Sequence, residues 1–223
     1  MVEHLTAASV TSRAVHRFDD FRPDPAIPAE QRNDAPHFIE RGYDRGQLAP
    51  PEDFRDDDAR MSQSFYYSNV VAQESANNRG LWVILERNVR AWARDKGEVY
   101  VITGPVFSQG QAKAWVGVYK DTGRRYTQPT QKEIIAQKMA VPTHLYKVVL
   151  SPQTGESIAF LVPNEAEPAT AQALASFAVP VATVEQVAHL TFFPDLPPAQ
   201  AALKSRISPA SWPLYTPDPK GDD

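Results

Sequence analysis

The stretch "SANNRGLWVILERNVRAWARDKG", residues 75–97, constrains the fold of this chain more than any other. Leu81, Trp82, Leu85, Val89 and Trp92 recur at three- and four-residue steps, the period of one helix face, and Gly97 supplies a stop. A helix with two tryptophans on its apolar stripe needs an apolar surface to cover. The flanking segments offer one, because "SFYYSNVV" (64–71), "EVYVITGPVF" (98–107), "KAWVGVYK" (113–120), "HLYKVVLS" (144–151) and "ESIAFLVP" (156–163) have the β-branched and aromatic content of strands closed by Gly or Pro turns. Residues 183–190 and 198–206 read as short helices, and the tail at 208–223 reads as frayed. Residues 19–60 are polar, rich in Pro, Asp and Arg, and without a sustained period, so they read as irregular structure. The sum is a mixed α+β domain in which strands outnumber helices.

Composition narrows the function classes. A length of 223 residues with 42% hydrophobic side chains can bury one substantial core, and a single domain over 1–223 is expected. Lys plus Arg number 23 against 27 Asp plus Glu, so any polyanion site must be a local patch. No run reaches the roughly 18–20 apolar residues that span a bilayer, and "MVEHLTAASV" lacks the basic and apolar segments of a secretory signal. With no cysteine, disulfides and thiolate metal sites are excluded.

Candidate chemistry clusters in two places. With Asn78 at the start of the long helix, Glu86 and Arg90 fall close to one stripe with it, and the plainest reading is a solvated helix face carrying an i,i+4 ion pair. Arg45 and Gln47 alternate about an extended segment and are expected on opposite faces unless the chain bends. Eight arginines between 41 and 94 (Arg41, Arg45, Arg55, Arg60, Arg79, Arg87, Arg90 and Arg94) favour a basic groove, against the alternative that several pair with Asp53, Asp56, Asp57 and Asp58. His144 is expected to be a packed structural residue and His37 a surface one; His4, His16 and His189 have no chemical context. No two histidines lie three or four residues apart, so a His metal site has no support.

Six blocks in order, "DRGQLAP" (44–50), "SFYYSNVVAQ" (64–73), "NRGLWVILE" (78–86), "VYVITGPVF" (99–107), "VPTHLYKVVL" (141–150) and "AFLVPN" (159–164), resemble the DNA/RNA non-specific endonucleases of the ββα-metal superfamily. The resemblance covers roughly residues 17–198 and implies a central antiparallel sheet with flanking helices. It also implies one divalent cation, Mg²⁺ or alternatively Mn²⁺, held directly by Asn78 and through water by Glu86, with Arg45 and Arg90 facing the scissile phosphate. Arg45, Arg79 and Arg90 would contact nucleic acid, Asn69 would support the site, and DNA and RNA would be cut alike to 5′-phosphate ends, recognition running through backbone phosphates. The assembly is left open between monomer and homodimer. Members usually have a further strand before the stretch where this chain opens with Met1 directly before Val2, which suggests truncation of a longer precursor; the resemblance favours a secreted or periplasmic location.

In that family the first block reads Asp-Arg-Gly-His, the His being the general base, and Gln47 stands in its place. A carboxamide takes up no proton near neutral pH, whereas a neutral imidazole does. Activity is therefore expected to be impaired by the factor general base catalysis is worth, roughly 10²- to 10⁴-fold, with metal and substrate sites intact. Two histories fit: a deliberate substitution, favoured because Arg45, Asn78, Glu86 and Arg90 all remain, or a natural Gln in an enzyme that tolerates it or has lost activity. The alternative functions are a nucleic-acid-binding pseudoenzyme and a fold reused for protein interaction.

Overall fold

The computed structural model describes residues 1–32, 37–122 and 131–215. In chain order the elements are β1 (Val2–Thr6), α1 (Ala7–Thr11), β2 (His37–Phe38), β3 (Tyr43–Gln47), α2 (Asp58–Gln63), β4 (Val70–Glu74), α3 (Ser75–Arg79) and α4 (Leu81–Lys96). They continue with β5 (Glu98–Val106), β6 (Ala114–Thr122), β7 (Gln131–Val141), β8 (His144–Leu150), β9 (Ser157–Pro163), α5 (Ala171–Ser176), β10 (Ala178–Val179), α6 (Val181–Ala188) and α7 (Pro198–Ala201). A five-stranded antiparallel sheet ordered β1-β5-β8-β9-β10 forms the centre, flanked by a three-stranded sheet β2-β6-β7 and the hairpin β3-β4. Hairpin followed by helix is the ββα element of an α+β metal-nuclease fold, and the expected class holds.

Strand alternation decides what covers each face of the central sheet. Leu5, Val99, Val101, Leu145, Val149 and Phe160 point to one side and meet Leu81, Trp82, Leu85, Val89 and Trp92 of α4. Each such fully buried side chain contributes about 1.5–3 kcal/mol, so this interface fixes the position of α4. Val106, Tyr146, Val148 and Ala159 point to the other side and are covered by Val181 and Val184 of α6 together with Phe192. Among the described residues no helix is long and apolar enough to cross a membrane.

Several expectations need correction. The helix expected over 75–97 breaks at Gly80, where a β-carbon would lie 2.5 Å from the Ala76 carbonyl oxygen. Periodicity runs through this break because the apolar stripe belongs to α4 alone. The strand expected at 64–71 begins only at Val70; residues 67–69 form a 3₁₀ turn that follows α2. The stretch 19–60 contains β2, β3, a 3₁₀ turn at Pro51–Phe54 and the start of α2, all too short to show a period. The sequence pattern predicts neither β1 nor β7, although β1 is a full edge strand paired with β5 over Val2–Thr6. In 198–206 only one α-helical turn forms, continued by a 3₁₀ turn.

The tail differs as well. Trp212 is buried and packs edge-on against Trp92 with ring centroids 5.3 Å apart, and the Trp92 indole donates to the Pro213 carbonyl at 2.8 Å. The Tyr215 amide donates to Asn88 Oδ1 at 2.7 Å. Residues 212–215 are thus strapped along α4, because one large aromatic finds an apolar slot there; residues 216–223 lie outside the described set.

Candidate active site

A cleft of about 400 Å³ opens where the β3-β4 hairpin meets α3 and α4. Arg45, Gln47, Asn78, Glu86 and Arg90 all line it, joined by Arg17, Asp44 and Arg87, with Phe21, Pro50 and Pro51 as apolar walls. Arg45 and Gln47 share one face, contrary to expectation: side chains alternate along a strand, so residues two apart in β3 point the same way without any bend. Asn78, on α3, still reaches the groove used by Glu86 and Arg90 of α4 despite the break between the helices.

Close packing sets the hairpin. A β-carbon on Gly46 would fall 2.3 Å from Gln73 Oε1 on the paired strand, so only glycine admits the buried Gln73. Gln73 donates to Asn77 Oδ1 at 3.1 Å, and Asn77 donates to the carbonyls of Pro163 and Glu165 at 2.7 and 3.0 Å. Asn164 adds bonds to the Ala72 and Pro142 carbonyls and accepts from the Glu74 amide. The hairpin and α3 are thereby bolted to the end of β9.

Gln47 is held by its amide nitrogen, which donates to the Ser64 carbonyl at 2.9 Å. Asn69, fully buried, donates to the same carbonyl at 2.7 Å and to the Ala49 carbonyl at 2.8 Å, and accepts from the Ala49 amide. It ties together the two loops that frame position 47, as a supporting residue does. Asn78 Nδ2 donates to Asp44 at 3.1 Å, which directs its carboxamide and leaves the side-chain oxygen as the atom suited to ligation. Arg79 forks onto both Asp44 oxygens at 2.7 Å. Burial pushes the Asp44 carboxyl up, but the bonds from Arg79 and Asn78 together hold it below the usual range. Arg79 is therefore already engaged at the cleft margin.

Glu86 is half-buried, and burial raises its pKa to about 7 against the opposing charges of Lys147 and Arg90. Arg90 donates to Asp53 at 2.7 Å, with both side chains largely withdrawn from water. Arg45 stacks on Phe21, its guanidinium carbon 3.8 Å from the ring centroid. Among the described residues no group of three His, Cys, Asp or Glu could enclose a metal ion. The Asn78 oxygen shares the cleft with the carboxyls of Asp19, Asp44, Glu52 and Glu86, and an oxygen donor set of this kind suits a hard ion that keeps most of its waters, as Mg²⁺ does.

The basic groove is narrower than expected. Of the eight arginines only Arg45, Arg87 and Arg90 line the cleft; Arg60 pairs with Asp56, Arg55 with Glu52, and Arg41 borders a separate hollow with Phe38 and Tyr119. His144 sits half-buried at the start of β8 beside Thr143, its pKa lowered by burial, and His37 stacks on Tyr119. Neither lines the cleft, so neither replaces position 47. Sequence reading missed Arg17, which lies in an aperiodic polar stretch, and the role of Asp44, which its place beside Arg45 could have suggested.

A family model described as DNA/RNA non-specific endonuclease matches residues 1–199, so the match includes β1, which the motif blocks left out. Nuclease C1 of Cunninghamella echinulata is 36% identical over 200 residues, 87% of this chain and 75% of that protein. The mitochondrial nuclease EXOG of Danio rerio is 32% identical over 201 residues, 88% of this chain; the chain spans 55% of that relative's length. That relative is named for the mitochondrion, a compartment other than the export favoured above. A solved structure, titled as the EndoG/EndoGI complex and the mechanism of EndoG inhibition, superposes with a TM-score of 0.68 at 31% identity, covering 89% of this chain and 79% of that one.

Proposed function

The chain belongs to the DNA/RNA non-specific endonuclease family, and on that premise we propose that it is a divalent-metal-dependent scaffold for phosphodiester hydrolysis in DNA and RNA whose cutting is impaired by Gln47. The convergence of Arg45, Gln47, Asn78, Glu86 and Arg90 on one cleft carries this reading. Asn78 would hold the cation through its side-chain oxygen, and Glu86 would orient water around it. The cation, Mg²⁺ first and Mn²⁺ as substitute, would supply Lewis-acid stabilisation of the leaving oxygen. Arg45 and Arg90 would present guanidinium forks to the phosphate, and Arg87 adds a further guanidinium to the lining, while Arg17 is paired there with Asp19 at 3.3 Å. Contacts of this kind touch backbone rather than base edges, which accounts for indifference to sugar and sequence.

Gln47 holds a water at most. One N–H of its amide is given to the Ser64 carbonyl, and its oxygen accepts a hydrogen bond but no proton. An imidazole at this position would donate one N–H to the same carbonyl and present its second nitrogen, unprotonated, to the cleft. Gln47→His is therefore expected to raise Mg²⁺-dependent cleavage of plasmid and RNA by roughly 10²- to 10⁴-fold. Equal activity in both proteins would refute the general-base assignment. If both are inert yet bind DNA in low salt, the reading becomes a nucleic-acid-binding protein without cleavage, which the inability of the Gln47 carboxamide to take up a proton favours as the second possibility.

A further inference from the structure

The three-stranded sheet β2-β6-β7 is covered on one side and open on the other. Phe38, Val116 and Val141 pack with Ala72 and Tyr43 of the β3-β4 hairpin. On the opposite side, strand pairing sets His37, Tyr119 and Ile134 in one row, and the Ile39 amide carries the pairing on by donating to the Gly117 carbonyl at 2.9 Å. Alternation along β6 adds Trp115 to that side. Ile39, Trp115 and Ile134 are 46%, 61% and 71% exposed, an apolar surface that no described residue covers. A β-carbon on Gly117 would fall 2.7 Å from Ile39 Cδ1, so glycine lets Ile39 lie across β6. The β6-β7 register shifts between Gly117 and Val118, and beside that bulge opens a hollow of about 340 Å³ lined by Phe38, Ile39, Arg41, Tyr119 and Ile134.

Charge and position name the occupant. Arg41 is exposed at the rim and Lys138 is exposed opposite Gly117, whereas the Glu40 carboxylate is spent on the Gly117 amide, which donates to it at 2.7 Å. An aromatic and aliphatic floor bordered by cations matches a nucleobase and its phosphate. The hollow also adjoins the cleft. Arg41 precedes Arg45 by four residues, which span at most about 14 Å of chain, and Tyr119 is close enough to couple electrostatically to Arg45. A nucleic-acid strand carries one phosphate per roughly 3.4 Å of helix axis, so a strand held at Arg45 passes the hollow within about four nucleotides. We propose that this hollow is a stacking subsite for one unpaired nucleobase of a single-stranded stretch, with Tyr119 and Ile39 as its platform and Arg41 on the adjoining phosphate. The subsite rests on the nuclease reading of the neighbouring cleft. A base within a duplex is already paired and stacked, so the hollow serves single strands and leaves duplex binding to the cleft arginines.

Binding of fluorescent oligothymidylate and of a mixed-sequence duplex, in low salt with EDTA, decides it for the full chain and for Tyr119→Leu, Tyr119→Phe and Ile134→Glu, each checked for an unchanged melting transition. Tyr119→Leu should weaken oligothymidylate binding roughly tenfold and duplex binding by less than about twofold, whereas Tyr119→Phe, which keeps the ring, should match the parent. Ile134→Glu sets a carboxylate on the exposed rim and should weaken single-strand binding by a similar factor. Ultraviolet cross-linking of oligothymidylate to the unsubstituted chain should label Tyr119, which keeps the test alive if Tyr119→Leu does not fold. Labels confined to the cleft lining sink the idea, as does equal loss for single strand and duplex or no loss for either. So does a parent that sediments as a dimer split by Ile134→Glu with oligothymidylate binding intact, for then the face belongs to a second copy. Single-strand binding that ignores Tyr119 removes the subsite alone; a parent that binds neither nucleic acid takes the nuclease reading down with it.

Discussion

The two faces of the central sheet are built to different rules. On the α6 side Val106, Tyr146, Val148, Ala159, Val181, Val184 and Phe192 form a patch whose one polar atom is a tyrosine hydroxyl. On the α4 side an equally well buried apolar layer ends, toward the cleft, in Glu3, Thr103, Lys147, Asp53 and Arg90. Burying such groups costs free energy that an apolar set of the same volume would not, and the partners made by Lys147 and Arg90 offset that cost without removing it. Stability alone favours the α6 pattern; the α4 pattern is what a site for a charged ligand requires. One sheet thus separates the work of holding the fold from the work of shaping the cleft.

That separation can be broken from either side. The largest effect is expected from Phe192→Ala, which should lower stability by about 3–5 kcal/mol through cavity formation. Its kcat, in the Gln47→His protein below the melting transition, should stay as it was; a change in kcat comparable with that of a cleft variant would show the faces to be coupled. Lys147→Met should do the reverse. Removing this buried charge relieves its desolvation cost but leaves the Thr103 hydroxyl without its partner, and the two effects oppose each other, so melting should shift little. Cleavage in the same background should fall roughly tenfold, because the Leu48 carbonyl beside position 47 loses its anchor.

The smallest effect concerns pH. With a folded pKa raised to about 7 from 4.5, Glu86 favours the folded state while protonated. Its contribution is complete below about pH 4.5 and disappears as pH rises through about 7, so metal-free protein should lose stability across that window. Glu86→Gln should flatten that loss, seen as melting temperatures of variant and parent converging at low pH and parting above about pH 7. Added Mg²⁺ should stabilise the parent above that pH and the variant less. Parallel curves would remove Glu86 from the metal-facing set.

Sequence reading captured the long helix, four strands of the sheet system and the five residues that converge on the cleft, because periodicity and motif order depend on local pattern. It missed what depends on contact. Gly80 breaks the helix through its approach to the Ala76 carbonyl, which no hydrophobic period records. The shared face of Arg45 and Gln47 was misjudged, although strand alternation alone implies it. Glu3 and Lys147 did leave a trace, each being a charge at an inward position of an alternating strand. The Thr103 hydroxyl that Lys147 meets lies far away in sequence, and only folding brings it within reach.

The strap at Trp212–Tyr215 bears on where the folding unit ends. The family match stops at residue 199, yet the slot beside Trp92 is filled by a side chain thirteen residues further on, and Asn88 spends its oxygen on the Tyr215 amide. Anyone trimming this chain to the borders drawn by its relatives would be unplugging the helix that carries Glu86 and Arg90. A boundary inferred from shared ancestry and a boundary set by cohesion are different lines, and here the second lies beyond the first.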